Sequence, residues 1–189
     1  ICDCSDGEKL YELKLAKDEK EKVISKSLIV SCNNCGFVFE SNDYTQKDYD
    51  EYYKSTTLYS SNINSVSASG GDNKEDLEHY DFQIDKVKKF ISDKNVDILD
   101  IGCAKGGLLR RFKYYGYNNL NGIEFSESCV NILKENDINA QIGGVFDICK
   151  FNKKFDVIII SHVLEHIWDF KNNNKIIKNL FEKGRRFIY

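Results

Sequence analysis

Apolar and polar positions along this chain fall into short blocks whose period changes from segment to segment. Leu10 to Leu15 and Val23 to Val30 are strand-like runs flanking the charged turn Lys17-Asp-Glu-Lys20, which predicts a hairpin. The tyrosine-rich stretch 43–59 predicts a helix, and Ser60 to Lys74 (SSNINSVSASGGDNK) reads as a polar linker. From Glu75 to Ser92 the apolar positions Ile84, Val87 and Ile91 recur at helical spacing on one stripe. Beyond residue 95 apolar runs and amphipathic segments alternate. Strands are expected at Val96–Ile101, Asn119–Ile123, Ile138–Ile142, Phe155–Ile160 and from Arg185 onward. Between them lie helices carrying Leu108, Leu109, Phe112 and Tyr115, then Val130 and Leu133 behind a Ser126 cap, then 169–181. Strand and helix in alternation predict an α/β domain with a parallel sheet, and the all-apolar Phe155–Ile160 run suits a strand buried on both faces. The chain thus divides into a small β appendage at 1–42, a tyrosine helix and linker at 43–74, and an α/β domain at 75–189.

Composition narrows the partners. Among 189 residues, 30% are charged and the net charge is -3, so no basic excess favours nucleic acid. No run approaches the roughly 18 apolar residues of a membrane span, and no leader is visible, which points to a cytoplasmic protein. Seven cysteines, odd in number and partly clustered, fit a reducing compartment with a metal site better than a disulfide framework. The first residue is Ile, and the chain stops as a fifth strand begins. An open fifth strand would invite edge pairing, so the sequence reads as a piece of a longer protein.

The richest chemistry lies in Val96-Asp-Ile-Leu-Asp-Ile-Gly-Cys-Ala-Lys-Gly-Gly-Leu-Leu109, a buried strand, a glycine turn and a helix start. Ligands of open α/β sheets bind at the carboxyl ends of strands, which makes this turn the default site. Gly102, Ala104 and Gly107 fit a relaxed GxGxxG, the pattern of a dinucleotide pyrophosphate turn. Asp100 opposes that reading, because a pyrophosphate disfavours a neighbouring carboxylate. Glu124 follows 24 positions later at the tip of the second strand, where two oxygens can accept from vicinal ribose hydroxyls.

LDIGCAKGG resembles motif I of the class I S-adenosylmethionine-dependent methyltransferases, and FDVIIISHVLEHI resembles their fourth-strand region. With Glu124 between them, the resemblance runs in order over 75–189. It implies a Rossmann-like sheet of seven strands, here cut off after the fifth, and S-adenosylmethionine as cofactor. Carried over residue by residue, Asp100, Gly102, Cys103, Ala104 and Gly106 would line the methionine part, with Asp100 facing its ammonium. Glu124 and Phe125 would lie at the ribose, Phe146 and Asp147 along the adenine, and Ser161 and His162 beside the methyl. His166, then His162, is the candidate general base if the acceptor must lose a proton. The tyrosines of 43–59 are read chiefly as packing residues, with a lid over the pocket as the alternative.

Cys32-Asn-Asn-Cys35-Gly36 is a metal knuckle in its spacing, and Cys2-Asp-Cys4 supplies a second pair, so structural zinc on Cys2, Cys4, Cys32 and Cys35 is expected. Cys32 to Phe39 also resembles a zinc-binding appendage of bacterial methyltransferases of sugar and cell-surface metabolism. That resemblance implies a small-molecule acceptor, with nucleotide-linked sugars among the candidates. A nicotinamide-dependent oxidoreductase and a noncatalytic zinc-ribbon module are the alternatives. A redox role for the Cys32/Cys35 dithiol and an inverzincin site on His162-x-x-Glu165-His166 are weaker ones.

Overall fold

The computed structural model describes residues 6–13, 27–41, 45–55, 71, 73–167, 180, 182 and 187–188. The chain divides into two compact units, Ile1–Tyr52 and Tyr53–Tyr189.

The first unit contains an antiparallel sheet of β1 (Gly7–Leu13), β2 (Ser27–Cys32) and β3 (Val38–Ser41) in that order. β1 and β2 pair from Gly7 with Cys32 to Leu13 with Ser27, as the predicted hairpin requires, with a register shift between Lys9 and Tyr11. The sequence reading did not include β3. Its four residues are too few for a period-2 pattern to stand out beside the Cys turn. Helix α1 (Gln46–Ser55) falls within the tyrosine stretch. Asp48 reaches back to the Thr45 amide and hydroxyl at 2.7 and 2.6 Å, which closes its first turn and lowers the Asp48 pKa.

In the second unit the sheet order is β6-β5-β4-β7-β8, with every pairing parallel. The strands are β4 (Ile98–Ile101), β5 (Leu120–Glu124), β6 (Asn139–Ile142), β7 (Val157–Ile159) and β8 (Phe187–Ile188). All five lie inside or within one residue of the expected segments. Helices α2 (Lys74–Lys88), α3 (Gly107–Tyr114) and α4 (Glu127–Glu135) complete the described layers. Strand alternation sorts the core onto two faces. Ile98 of β4 with Val157 and Ile159 of β7 packs with Ile84 and Val87 of α2, Leu109 and Phe112 of α3, and Leu133 of α4. Leu99 and Ile101 with Ile158 and Ile160 face the other way, onto Val145, Ile148, Phe151 and Phe155. Each such side chain, when fully buried, contributes about 1.5–3 kcal/mol relative to exposure. Asp100 shares the face of Ile98, so a carboxyl sits in an apolar layer.

Side-chain hydrogen bonds tie down the helices of that layer. Arg111 of α3 donates two bonds to Asp81 of α2, at 2.6 and 2.7 Å, and the Tyr115 hydroxyl adds a third at 2.9 Å. These donors hold the Asp81 carboxyl below the usual carboxylate range. Ser126 caps α4 by accepting the Cys129 amide at 3.4 Å, as expected. A 3-10 helix at Val145–Lys150, not foreseen, fills the exit of β6. Of the helix expected at 169–181, only Leu180 is among the described residues.

Candidate functional site

β4 occupies the centre of the sheet, with β5 and β7 on its flanks, so its carboxyl end opens between the ends of two neighbours. The chain turns there through three left-handed residues, Gly102 (φ 71°), Ala104 (φ 47°) and Gly106 (φ 75°). Ala104 bears that geometry at a cost of about 1 kcal/mol. The turn is pinned from both sides. Gly102 N–H reaches Ile123 O at 2.8 Å, Ala104 N–H reaches Glu124 Oε2 at 3.0 Å, and Gly106 N–H reaches Cys103 O at 2.8 Å. A Cβ on Gly106 would lie 2.9 Å from the Leu133 side chain, and one on Gly102 would lie 2.6 Å from Val163 Cγ2. Cys103 belongs to the turn but faces inward, its Sγ 3.8 Å from Ile123 O. Burial pushes its thiol pKa far up, so it packs rather than reacts.

Asp100 is 5% exposed. No hydrogen-bond donor among the described residues meets its carboxyl, so burial raises its pKa from 3.8 to about 8, with Glu124 adding repulsion. A cation placed beside this carboxyl would offset the cost of burying its charged form. Glu124 is better supported. Its two oxygens take the Ala104 and Ser126 amides, each at 3.0 Å. Burial still leaves its pKa raised, despite the lowering by these amides. A carboxylate has about four acceptor positions, and the Ser126, Ala104 and Phe125 amides take three of them.

Past β5 and β6 the site continues. The Phe125 ring lies against Gly144, where a Cβ would come within 2.5 Å of its Cζ. Phe146 is half-buried against the core layer formed by Leu99 and Ile101. Asp147 accepts the Gly144 amide at 3.0 Å through Oδ2 and pairs with Lys150 at 2.9 Å through Oδ1. The structure therefore uses Asp147 to close the β6 exit turn.

On the other flank, β7 runs into a loop that carries Ser161 and His162, followed by a 3-10 turn at Leu164–His166. Gln83 of α2 donates to Ser161 Oγ at 3.5 Å. His162 is left-handed (φ 54°), with its side chain 83% exposed and its Nδ1 3.4 Å from Glu165 Oε1. His166 is half-buried. The loop lies on the glycine turn, since Val163 is the side chain that bars a Cβ at Gly102. Thus Asp100, Gly102, Cys103, Ala104 and Gly106 lie on β4 and the turn after it, and Glu124 bonds that turn through the Ala104 amide. Gln83 and Val163 were missed, and Glu165 was singled out only as part of the inverzincin pattern. Gln83 lies 78 positions from Ser161, though it sits on the same helical stripe as Tyr80 and Val87.

The metal expectations divide. Cys2 and Cys4 lie outside the described residues. Cys32 is buried and Cys35 exposed, in a turn closed by Gly36 N–H to Cys32 O at 2.9 Å, with Gly36 left-handed (φ 70°). Among the described residues no group of three or more His, Cys, Asp or Glu could hold a metal. His162, Glu165 and His166 occupy a loop and one 3-10 turn, so the long helix that an inverzincin site needs is not there. Among the described residues no helix is long and apolar enough to cross a membrane.

A family model described as a methyltransferase domain matches residues 62–189. The Ubiquinone biosynthesis O-methyltransferase of Coxiella burnetii (strain RSA 493 / Nine Mile phase I) is 26% identical over 109 residues, 54% of this chain and 46% of that protein. The chain thus spans about half the length of the curated relatives it matches. Magnesium protoporphyrin IX methyltransferase (ChlM) from Synechocystis PCC 6803, solved with bound SAM, shares the fold. It superposes with a TM-score of 0.53 at 17% identity, over 77% of this chain and 75% of its own. The bifunctional kinase-methyltransferase WbdD is a looser likeness, with a TM-score of 0.44 at 18% identity over 63% of this chain and 29% of its own. With its parallel sheet, its glycine turn after the central strand and a family match covering most of its length, this chain belongs to the methyltransferase-domain family.

Proposed function

We propose that the chain binds S-adenosylmethionine and transfers its methyl group to a small molecule. The observation that carries the reading is Asp100, a buried carboxyl without a donor beside a turn open enough for a ligand to reach the backbone. The α-ammonium of a methionine moiety supplies a cation for it, next to the exposed backbone of Gly102. Glu124 is already held by backbone amides and keeps an acceptor position for a ribose hydroxyl. Phe125, Phe146 and Asp147 border the side on which an adenine would extend. Ser161 and His162, on the opposite flank, border the methyl. When bound, the cofactor supplies an electrophilic methyl on a sulfonium. The protein contributes orientation, an anchored nucleoside and exclusion of water.

A pyrophosphate-bearing dinucleotide fits worse, because Asp100 and Glu124 put two acids at the turn. Calorimetric titration with S-adenosylhomocysteine, with NADH as control, tests the reading. Selective binding of the homocysteine nucleoside supports it, and preference for NADH overturns it.

A nucleotide-linked sugar remains the narrower candidate suggested by the Cys32-x-x-Cys35 appendage, where Gly36 lets the backbone fold under two thiols. A structural zinc on Cys2, Cys4, Cys32 and Cys35 goes with that candidate, and four thiolates would leave it no catalytic position. One zinc per chain by elemental analysis, lost in Cys32→Ser, supports this assignment; metal-free folded protein contradicts it.

A further inference from the structure

We propose that capture of the ligand's α-ammonium drives one proton off Asp100 into solvent, so that acid weakens nucleoside binding. This rests on the methyl-transfer reading above and adds the protonation state of the free protein. Asp100 is 5% exposed, and no donor among the described residues meets its carboxyl. The turn amides next to it are committed elsewhere. Gly102 and Cys103 N–H go to Ile123 O at 2.8 and 3.4 Å, Ala104 N–H to Glu124 at 3.0 Å, and Gly106 N–H to Cys103 O at 2.8 Å. On its flanks the strand register sets Gly122 of β5 and Ile159 of β7 beside it, neither with a polar side chain. An isolated carboxylate in such surroundings is unfavourable, and the group takes up a proton instead.

The neighbouring charges act in the same sense. Glu124 of β5 bears on Asp100 and opposes its ionisation. The Ser126, Ala104 and Phe125 amides hold the Glu124 carboxylate, so of the two acids Asp100 is the one that keeps a proton. Tyr80 of α2 brings a phenol to the same layer, and Cys103 of the turn and Cys129 of α4 bring thiols whose pKa burial raises. Lys105, buried on the turn, bears on Cys129. On α3, Arg110 binds Lys105 O and Arg111 binds Asp81 of α2. The loop after β7 sends Val163 to the turn, whereas its His162 and Glu165 meet each other at the surface, 83% and 52% exposed. Among the described residues no cation therefore acts on Asp100. When an ammonium arrives, the Asp100 O–H bond breaks with its electron pair left on oxygen. The proton passes to the buffer, and a carboxylate–ammonium pair remains. Because the free acid titrates at about 8, affinity should rise about tenfold per pH unit below that value. A nucleoside without the amino-acid arm has no ammonium to offer and should show no such change.

The test uses the whole chain and calorimetry. S-adenosylhomocysteine is titrated at pH 6.5 in phosphate and in imidazole, two buffers of different ionisation enthalpy, so the difference in heat counts the protons released. Wild type is expected to release about one proton per ligand and to gain about tenfold in affinity from pH 6 to pH 7. Asp100→Asn should release none and hold its affinity within about twofold over that interval. Wild type with 5'-methylthioadenosine gives the same contrast without a mutation, since no proton should leave. Either comparison alone decides. Release of less than about half a proton by wild type that binds S-adenosylhomocysteine overturns the proposal and leaves the methyl-transfer reading standing. Equal release by Asp100→Asn assigns the proton to Glu124 or another group and also overturns it, as does equal release with methylthioadenosine. Wild type that does not bind S-adenosylhomocysteine at any of these pH values sinks the methyl-transfer reading, and the proposal with it.

Discussion

Replacing Asp100 with Asn should make the fold gain stability relative to wild type as pH rises. Asp100 is 5% exposed and its pKa is raised from 3.8 to about 8, burial being the larger cause and Glu124 the smaller. Between those two values the folded chain binds more protons at this site than the unfolded chain, so stability falls as pH rises and levels off above about 8. The full shift corresponds to roughly 6 kcal/mol at about 1.4 kcal/mol per unit. Water penetration and an effective dielectric nearer 20 than 4 bring the expected loss to about 2–4 kcal/mol. Asn has nearly the same shape and does not titrate. Its amide also lacks a partner, at a cost of about 1–3 kcal/mol that is the same at every pH. The informative quantity is therefore the slope of the difference between the two proteins. Urea unfolding at pH 5, 7 and 8.5 should show Asp100→Asn gaining on wild type by about 2–4 kcal/mol across the series. Parallel stability curves would refute the reasoning, because they would mean that Asp100 is ionised and solvated in the folded chain throughout.

Further predictions follow from the same site. Glu124→Ala should weaken nucleoside binding by more than tenfold, about 1.4 kcal/mol, since it removes the ribose acceptor and frees two amides; unchanged calorimetric affinity would remove Glu124 from the site. Gly106→Ala meets both a left-handed φ and Leu133 at 2.9 Å, so thermal unfolding should drop by about 1–3 kcal/mol. Gly102→Ala should instead act mainly on binding, because its clash is with the loop residue Val163; a binding isotherm identical to wild type would count against the close approach assigned to that turn. Ser126→Ala removes the cap of α4 and should cost about 1 kcal/mol in urea unfolding.

Much of the α/β unit was legible because its strands are short, apolar and separated by helices with clear stripes. Leu99 and Ile101 against Ile98 and Asp100 show why a continuous apolar run was the right signal for a strand covered on both faces. Asp100 stood out as a charge inside such a run, and Glu124 by recurring one strand later. The glycine turn was legible from small residues, but its closure by the Ala104 amide on Glu124 was not, since no spacing rule pairs those positions. Gln83 and Val163 reach the site only through tertiary packing, one from a helix 78 positions before its partner and the other from a loop. The role of Asp147 in closing the Gly144 turn also depends on local backbone geometry that the residue type alone leaves open. β3 and the 3-10 helix at Val145–Lys150 are too short to give a period. The side chains of Tyr52, Tyr53 and Tyr59, and the helix expected at 169–181 apart from Leu180, lie outside those described.

The account's central claim is that a buried acid at the tip of β4 receives the amino-acid cation of a nucleoside ligand. Competing calorimetric titrations of S-adenosylhomocysteine and 5'-methylthioadenosine, which lacks the amino-acid part, test it directly on wild type and Asp100→Asn. The account predicts that wild type prefers S-adenosylhomocysteine by more than tenfold and that Asp100→Asn loses most of that preference while keeping its affinity for methylthioadenosine. An equal preference in both proteins would place the cation elsewhere and contradict the account.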